Sequence, residues 1–416
     1  REEFYNNNPK YKDMSDEDAL SKVQKYLHRQ GIDRLSPIAR KVEREGTPNR
    51  RNVVLVFMES MSANLMGTFG SDKKLTPYLD SLYQQSLSFS HFYSSGIHTN
   101  HGIYSTLYSF PAIMKRNAMK GSVIPVYSGL PTVLQENGYC NLFFMTHESQ
   151  YDNMNAFLRT NGFDEIYAQE NYPSEKVVNS FGVQDDFMYQ YALPILNERA
   201  GTGNPFFSVL LSISNHPPYV IPPYFHPHSD VLEEQIVEYA DWSIRQFMQA
   251  AEKQPWFDNT IFVFLGDHGK MVGTPECEMP QSYNHIPLMI YGKDIKPGVY
   301  DGFGGQVDVS PTLLGLLNIS YLQNNFGVNL LEEERPCMFF TADNLIGARD
   351  SVNMFIYSPD SQQEFRYKLE EGKLRAATGT DEEAFRNLKD YCFSMLQSTE
   401  SLVKEHKTLD KVSVKK

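Results

Sequence analysis

Side chains able to bind a hard cation or move a proton stand directly after short apolar runs in this chain. Glu59 follows Asn52-Val-Val-Leu-Val-Phe-Met58, and His147 follows the run from Tyr139 to Met145. His216 follows Pro205 to Ile213, and the pair Asp267-His268 follows Thr260-Ile-Phe-Val-Phe-Leu265 and one glycine. Such runs are too short for a buried helix and suit central parallel strands. In open parallel sheets ligands collect beyond the carboxyl ends of the strands, where these residues would lie.

Carboxylate oxygens of Glu59 and Asp267 suit a hard divalent cation, and His268 adds a nitrogen suited to zinc or manganese. Adjacent Asp and His can both ligate because the backbone turns as it leaves the strand. Each residue alone reads equally well as a turn or a helix cap. Their placement after two separate buried-type strands favours a metal site. Thr99 lies between His98 and His101 in the loop Ser94-Ser-Gly-Ile-His-Thr-Asn-His-Gly102, before a helix-like run from Tyr104 to Tyr108. A threonine hydroxyl is a poor nucleophile near neutrality, and metal coordination is one way to activate it. Loop amides before a helix also favour an anion. Without the other residues, Thr99 would read as an ordinary N-cap. His101 shares its loop and joins the groups that could contact substrate. His216 precedes Pro217-Pro218 and His285 precedes Ile286-Pro287. Either could hydrogen-bond a phosphoryl oxygen or protonate a leaving group, although a lone histidine is more often structural.

The elements needed to hold these residues alternate along the chain. Thr76-Pro77 opens a helix with Leu79, Leu82 and Tyr83 inward, and a strand runs from Leu87 to Tyr93. A helix from Leu130 to Asn137 closes at Gly138, and an amphipathic helix covers Asp230 to Lys253. Ile286 to Tyr291 reads as a strand, and Ser310-Pro311 opens a helix through Leu317. This alternation predicts an α/β fold: a mostly parallel central sheet with helices on both faces. Residues 1–50 form a polar lead-in, with Ser15 and Asp18 marking a helix start, and 51–325 form the main domain. From 326 to 416, short alternating segments (Cys337 to Thr341, Asn353 to Tyr357, Phe365 to Lys368) precede a helix from Glu382 to Val403. They predict a small antiparallel sheet beside the main one.

Bulk properties exclude some functions. With 38 basic and 51 acidic residues, the formal charge of -13 argues against unaided binding to nucleic acid or anionic lipid. An anionic substrate would need a local positive site, which a metal would supply. Cys140, Cys277, Cys337 and Cys392 show no C-x-x-C spacing, so free thiols are expected. No apolar run reaches the ~18 residues that would span a bilayer. The chain begins at Arg1 rather than methionine, which leaves upstream targeting or membrane segments open.

The pieces resemble a known family in order and type. They are Val56-Phe-Met-Glu-Ser60, Leu75-Thr-Pro-Tyr-Leu-Asp80, Thr99 followed by Ser109-Phe-Pro111, and Phe144-Met-Thr-His147. Ser214-Asn-His-Pro-Pro-Tyr219, Phe264-Leu-Gly-Asp-His-Gly269, His285-Ile-Pro287 and Val307-Asp-Val-Ser-Pro-Thr312 follow. As a set they resemble the lipoteichoic acid synthase-like phosphoglycerol transferases of the alkaline phosphatase and sulfatase superfamily. The resemblance implies that Glu59, Thr99, Asp267 and His268 bind one divalent metal, manganese first and magnesium or zinc as alternatives. It implies that Thr99 is the nucleophile and that His147, His216 and His285 line the substrate site. A glycerophospholipid donor, a glycan or lipid acceptor of the cell envelope and an extracytoplasmic domain at the cell membrane are also implied, the membrane being reached through segments outside this chain. The chain departs from the family in two places. Thr99-Asn100-His101 stands where many relatives have an arginine shortly after the threonine, and Glu148 to Arg159 lacks a clear match to the tryptophan and arginine that bind glycerophosphate. Asn153 and Arg159 are weaker candidates there. Phosphoethanolamine transfer and hydrolysis of phosphoesters remain neighbouring readings. A sulfatase would need a C/S-x-P-x-R motif, which the Thr99 loop lacks.

Overall fold

A computed structural model describes residues 12–379 and 381–412. Its centre is an eight-stranded sheet: β1 (Asn52–Met58), β2 (Leu87–Tyr93), β3 (Cys140–Phe144), β4 (Glu165–Tyr167), β5 (Phe206–Leu211), β6 (Thr260–Gly266), β7 (Leu288–Tyr291) and β8 (Gly298–Gly305), in the order β8-β2-β7-β6-β1-β5-β3-β4. Neighbouring strands pair in parallel except at β7, which is antiparallel to both β2 and β6. The α/β class expected from the alternation is therefore present.

Both faces of the sheet are covered, and alternate residues divide between them. Val53, Leu55 and Phe57 of β1 join one core with Val209, Leu211, Val263 and Leu265, whereas Val54, Val56 and Met58 join another with Leu210, Phe262 and Phe264. The first core is closed by α3 (Thr99–Tyr108), α4 (Leu130–Glu136), α7 (Val309–Leu316) and α8 (Glu382–Lys404). The second is closed by α2 (Pro77–Gln85), α5 (Asp185–Ala200) and α6 (Leu232–Ala251).

Several local expectations change. Thr76 precedes α2 but makes no side-chain cap bond. Asp241 of α6 does that work, its carboxylate accepting from the amides of Tyr78 at 3.1 Å and Leu79 at 2.8 Å. The helix of the Thr99 loop begins at Thr99, not near Tyr104, because His98 is already the extended N-cap residue. α5 escaped the sequence reading because Pro194 lies inside it.

After residue 325 a five-stranded antiparallel meander follows: β9 (Met338–Thr341), β10 (Ile346–Arg349), β11 (Asn353–Ser358), β12 (Gln363–Glu370) and β13 (Lys373–Ala376). One face packs on α8, with Tyr357 and Phe393 ring centroids 4.8 Å apart. On the other face Met354 and Ile356 cluster with Tyr93 of β2. The lead-in helix α1 (Asp16–Tyr26), capped by Ser15 as expected, also rests on α8, with Tyr26 and Tyr391 rings 4.9 Å apart. A buried ion pair ties the regions together: Arg335 places Nε 2.7 Å and an Nη 2.6 Å from the two Asp308 oxygens. The four cysteines are free thiols.

Candidate functional site

The central strands β1 and β6 run side by side in parallel, with Met58 opposite Gly266. Their register brings the next residues, Glu59 and Asp267, to one place. Both carboxylates are buried, and His268 turns its Nε2 to 3.6 Å from Glu59 Oε1 and 3.5 Å from Asp267 Oδ2. Thr99 arrives from the first turn of α3, its Oγ1 2.8 Å from Asp267 Oδ2 and 3.2 Å from Glu59 Oε2. The structure thus brings together Glu59, Thr99 and the adjacent pair Asp267-His268, three places far apart in sequence.

Secondary contacts orient this cluster. Asp267 Oδ1 accepts from the amides of Ser60 at 2.9 Å and His268 at 2.7 Å, leaving Oδ2 for Thr99. Ser60 Oγ donates to Glu59 Oε1 at 3.0 Å. His268 Nδ1 lies 2.7 Å from the Gly269 carbonyl, and a proton held there leaves the Nε2 lone pair facing the carboxylates.

Burial and the adjacent Asp267 charge push the Glu59 carboxyl well above the ordinary range. Two buried carboxylates in contact are unstable as a dianion without a compensating cation. Glu59, Asp267 and His268 offer ligand atoms that all lie within 4.8 Å of one another. The oxygen-rich donor set, one oriented nitrogen and the need for positive charge all fit a divalent ion.

Close backbone packing positions the nucleophile candidate. A Cβ at Gly102 would lie 2.2 Å from the Asp267 carbonyl oxygen, so α3 rests on the backbone of the residue it serves. Gln306 links the same pieces: its amide nitrogen donates to Asp267 O at 2.8 Å and its oxygen accepts from Ser95 N at 3.0 Å. Gly102→Ala should push the helix bearing Thr99 outward and lower turnover about 100-fold, the usual effect of an ~1 Å misplacement. Steady-state kinetics on the folded variant checks this.

The histidines divide into two groups. His147 Nδ1 lies 2.9 Å from Glu148 O, and His216 Nδ1 lies 2.6 Å from Pro217 O. Their rings join an aromatic wall: His147 lies tilted against Tyr151 with centroids 4.7 Å apart, Tyr151 edge-on to Phe181 at 6.2 Å, and Phe181 tilted against His216 at 4.3 Å. Burial lowers the His147 pKa, favouring the neutral ring. His101 and His285 are used differently. His101 Nε2 lies 2.8 Å from Arg116 O, and His285 Nε2 lies 2.8 Å from Ser90 O. Burial lowers both pKa values to about 4. Among the described residues neither hydrogen-bonds to Thr99, Glu59, Asp267 or His268. Asn153 and Arg159 are held by local contacts, Asn153 donating to Met119 O at 2.7 Å and Arg159 to Asn155 Oδ1 at 3.0 Å.

Lys270 was missed in the sequence. Its Nζ lies 2.7 Å from Asn215 Oδ1 and 5.5 Å from the Tyr219 ring centroid. Asn215 in turn donates to Ser60 O at 3.3 Å, one residue from Glu59. Burial lowers the Lys270 pKa to about 8, while Glu233 and Glu59 oppose the shift. Its position two residues after His268 was the only signal in the sequence.

The family model described as Sulfatase matches residues 51–319. The chain belongs to the sulfatase family. Members of this family use a divalent metal, and the cluster at Glu59, Asp267 and His268 is where this sulfatase-family chain can hold one. It is 25% identical over 358 residues to a lipoteichoic acid synthase-like protein, YvgJ, of Bacillus subtilis, covering 78% of this chain and 56% of that protein. A lipoteichoic acid synthase of Staphylococcus aureus is 24% identical over 399 residues, covering 84% of this chain and 58% of that protein. The chain therefore spans little more than half the length of the curated relatives it matches. A crystal structure of an alkaline phosphatase superfamily protein from Vibrio parahaemolyticus superposes with a TM-score of 0.86 at 26% identity, covering 96% of this chain and 98% of that one. The lipoteichoic acid synthase LtaP from Listeria monocytogenes shares the fold, with a TM-score of 0.74 at 22% identity and coverage of 92% and 98%. No helix among the described residues is long and apolar enough to cross a membrane.

Proposed function

We propose that this sulfatase-family chain transfers a phospho-alcohol, phosphoglycerol first, from a glycerophospholipid to a hydroxyl of an envelope glycan or lipid at the outer side of the cell membrane. The observation that carries this reading is the Thr99 hydroxyl standing on the Glu59–Asp267 pair at the N-terminal turn of α3. The names of the relatives support the phosphoglycerol group.

Glu59, Thr99, Asp267 and His268 would hold one divalent ion, manganese by preference. When bound, such an ion neutralises the carboxylates and lowers the pKa of a coordinated hydroxyl. The Thr99 hydroxyl points at the carboxylates and loses its proton on that side. Its oxygen attacks the phosphorus of the donor in line, and the bond from phosphorus to the lipid alcohol breaks. His216, whose Nε2 makes no hydrogen bond among the described residues, gives a proton from Nε2 to the departing alkoxide. The acceptor hydroxyl then returns a proton to His216 Nε2 as its oxygen attacks the phosphothreonine; the bond from phosphorus to Thr99 Oγ1 breaks, and Oγ1 regains the proton held on the carboxylate side.

Lys270 supplies the positive charge that Asn100 and His101 do not. Asn215 takes one of its three donor positions, leaving two for phosphoryl oxygens. His147 lines the wall beside the bound group, whereas His101 and His285 support the loop and sheet behind it. Lys270→Met should raise KM roughly 10- to 100-fold, with kcat changed much less. Equal loss in kcat and kcat/KM would place Lys270 in the transition state instead.

Intact-protein mass spectrometry after brief exposure to phosphatidylglycerol and manganese tests the reading. A phosphoglycerol increment located on Thr99 is expected. An increment seen only with phosphatidylethanolamine would identify phosphoethanolamine transfer, and no adduct with either donor would overturn transfer through Thr99.

A further inference from the structure

We infer that the loop of residues 115–126 is a docking surface for a phospholipid bilayer carrying anionic headgroups. This goes beyond the transfer reaction and is measured without turnover. The loop follows α3 and carries exposed apolar side chains at its tip: Val123 is 79% exposed, Ile124 38% and Val126 43%. Single exposed apolar residues are ordinary, but here they are consecutive or nearly so on one tip.

The base of the loop is fixed while the tip is free. Asn153 donates to the Met119 carbonyl at 2.7 Å and buried Asn161 to the Pro125 carbonyl at 2.9 Å. Asn161 also accepts from the Tyr127 amide at 2.7 Å. Between these anchors, Gly121, Ser122, Val123 and Ile124 make no hydrogen bond to the rest of the chain among the described residues. A rigid stem presenting an apolar tip has little ordering entropy to lose on insertion.

The charges near the tip suit an anionic surface. Lys115 and Lys120 are exposed; Lys120 lies 3.5 Å from Asp152, and Lys115 has no acidic partner among the described residues. The segment holding Val412, which is 55% exposed, and Lys411, which pairs with Glu136, is tied alongside through Thr408, whose Oγ1 donates to Val126 O at 2.6 Å. The overall charge of -13 opposes general adsorption to such a surface. Charges beyond about 8 Å are largely screened at physiological salt, so contact through this basic and apolar patch is decided locally. The loop also borders the site: Asp152 adjoins Tyr151 of the aromatic wall, and Arg116 O meets His101. A docked loop would therefore bring the wall close to lipid headgroups.

The test is co-sedimentation of the whole chain with sucrose-loaded vesicles, either phosphatidylcholine alone or phosphatidylcholine mixed with phosphatidylglycerol. Wild type is expected to partition onto the mixed vesicles more strongly than onto the neutral ones, and less so in high salt. Val123→Ser/Ile124→Ser should weaken partition about tenfold with an unchanged thermal midpoint. Lys115→Gln/Lys120→Gln should reduce the preference for mixed vesicles. Equal partition of wild type onto both vesicle types, or full binding by the serine variant, would overturn the inference.

Discussion

Thr99→Ala is expected to lower turnover by about 10⁴-fold or more and to abolish the covalent adduct. The methyl side chain removes the one hydroxyl that, among the described residues, is placed on both Asp267 Oδ2 and Glu59 Oε2. Thr99→Ser retains the oxygen but loses the branching methyl that restricts rotation about χ1, so partial activity should return. Steady-state turnover of both variants, with mass spectrometry of each, checks the prediction. Adduct formation by Thr99→Ala would move the attack to another residue. Metal content measured on the same samples separates a lost nucleophile from a lost metal site.

Arg335→Met should destabilise the fold by about 3–5 kcal/mol, the range for removing one member of a buried pair. Asp308 accepts from Nε and one Nη of the guanidinium and from the amides of Gly305 at 2.9 Å and Val328 at 2.9 Å. The methionine can fill much of the space but leaves the carboxylate without its counter-charge. Restoring stability by also replacing Asp308 should fail, because the Gly305 and Val328 amides would then lose their acceptor. Urea unfolding of the single and double variants reads this directly. A shift below ~1 kcal/mol for Arg335→Met would show that water or rearrangement compensates.

The strand-end rule located Glu59, Asp267 and His268 because fully buried strands must emerge together at one edge, whatever their neighbours. The direction of β7 was not legible: a short apolar strand looks the same in either orientation, and only pairing with β2 and β6 fixes it. Thr99 was found by type, but its helical position depended on His98 serving as cap. His101 and His285 looked equivalent to His147 and His216 in sequence; all four rings meet a backbone carbonyl, but the first two do so through Nε2 and the last two through Nδ1. Lys270 gains its meaning from Asn215 and Tyr219, more than fifty residues away in sequence, a pairing that no local pattern announces.

Ser95, at the root of the Thr99 loop, also accepts from Thr341: the Ser95 carbonyl receives its amide at 2.8 Å and its hydroxyl at 3.2 Å. The loop therefore has hydrogen-bonding partners on both sides of residue 325. A chimera exchanging only residues 51–325 with a distant relative would set a foreign loop against an unchanged strand. Residues 94–102 and the strand of Thr341 are thus physically coupled, and replacing Thr341 by valine would remove one of the two bonds to the Ser95 carbonyl.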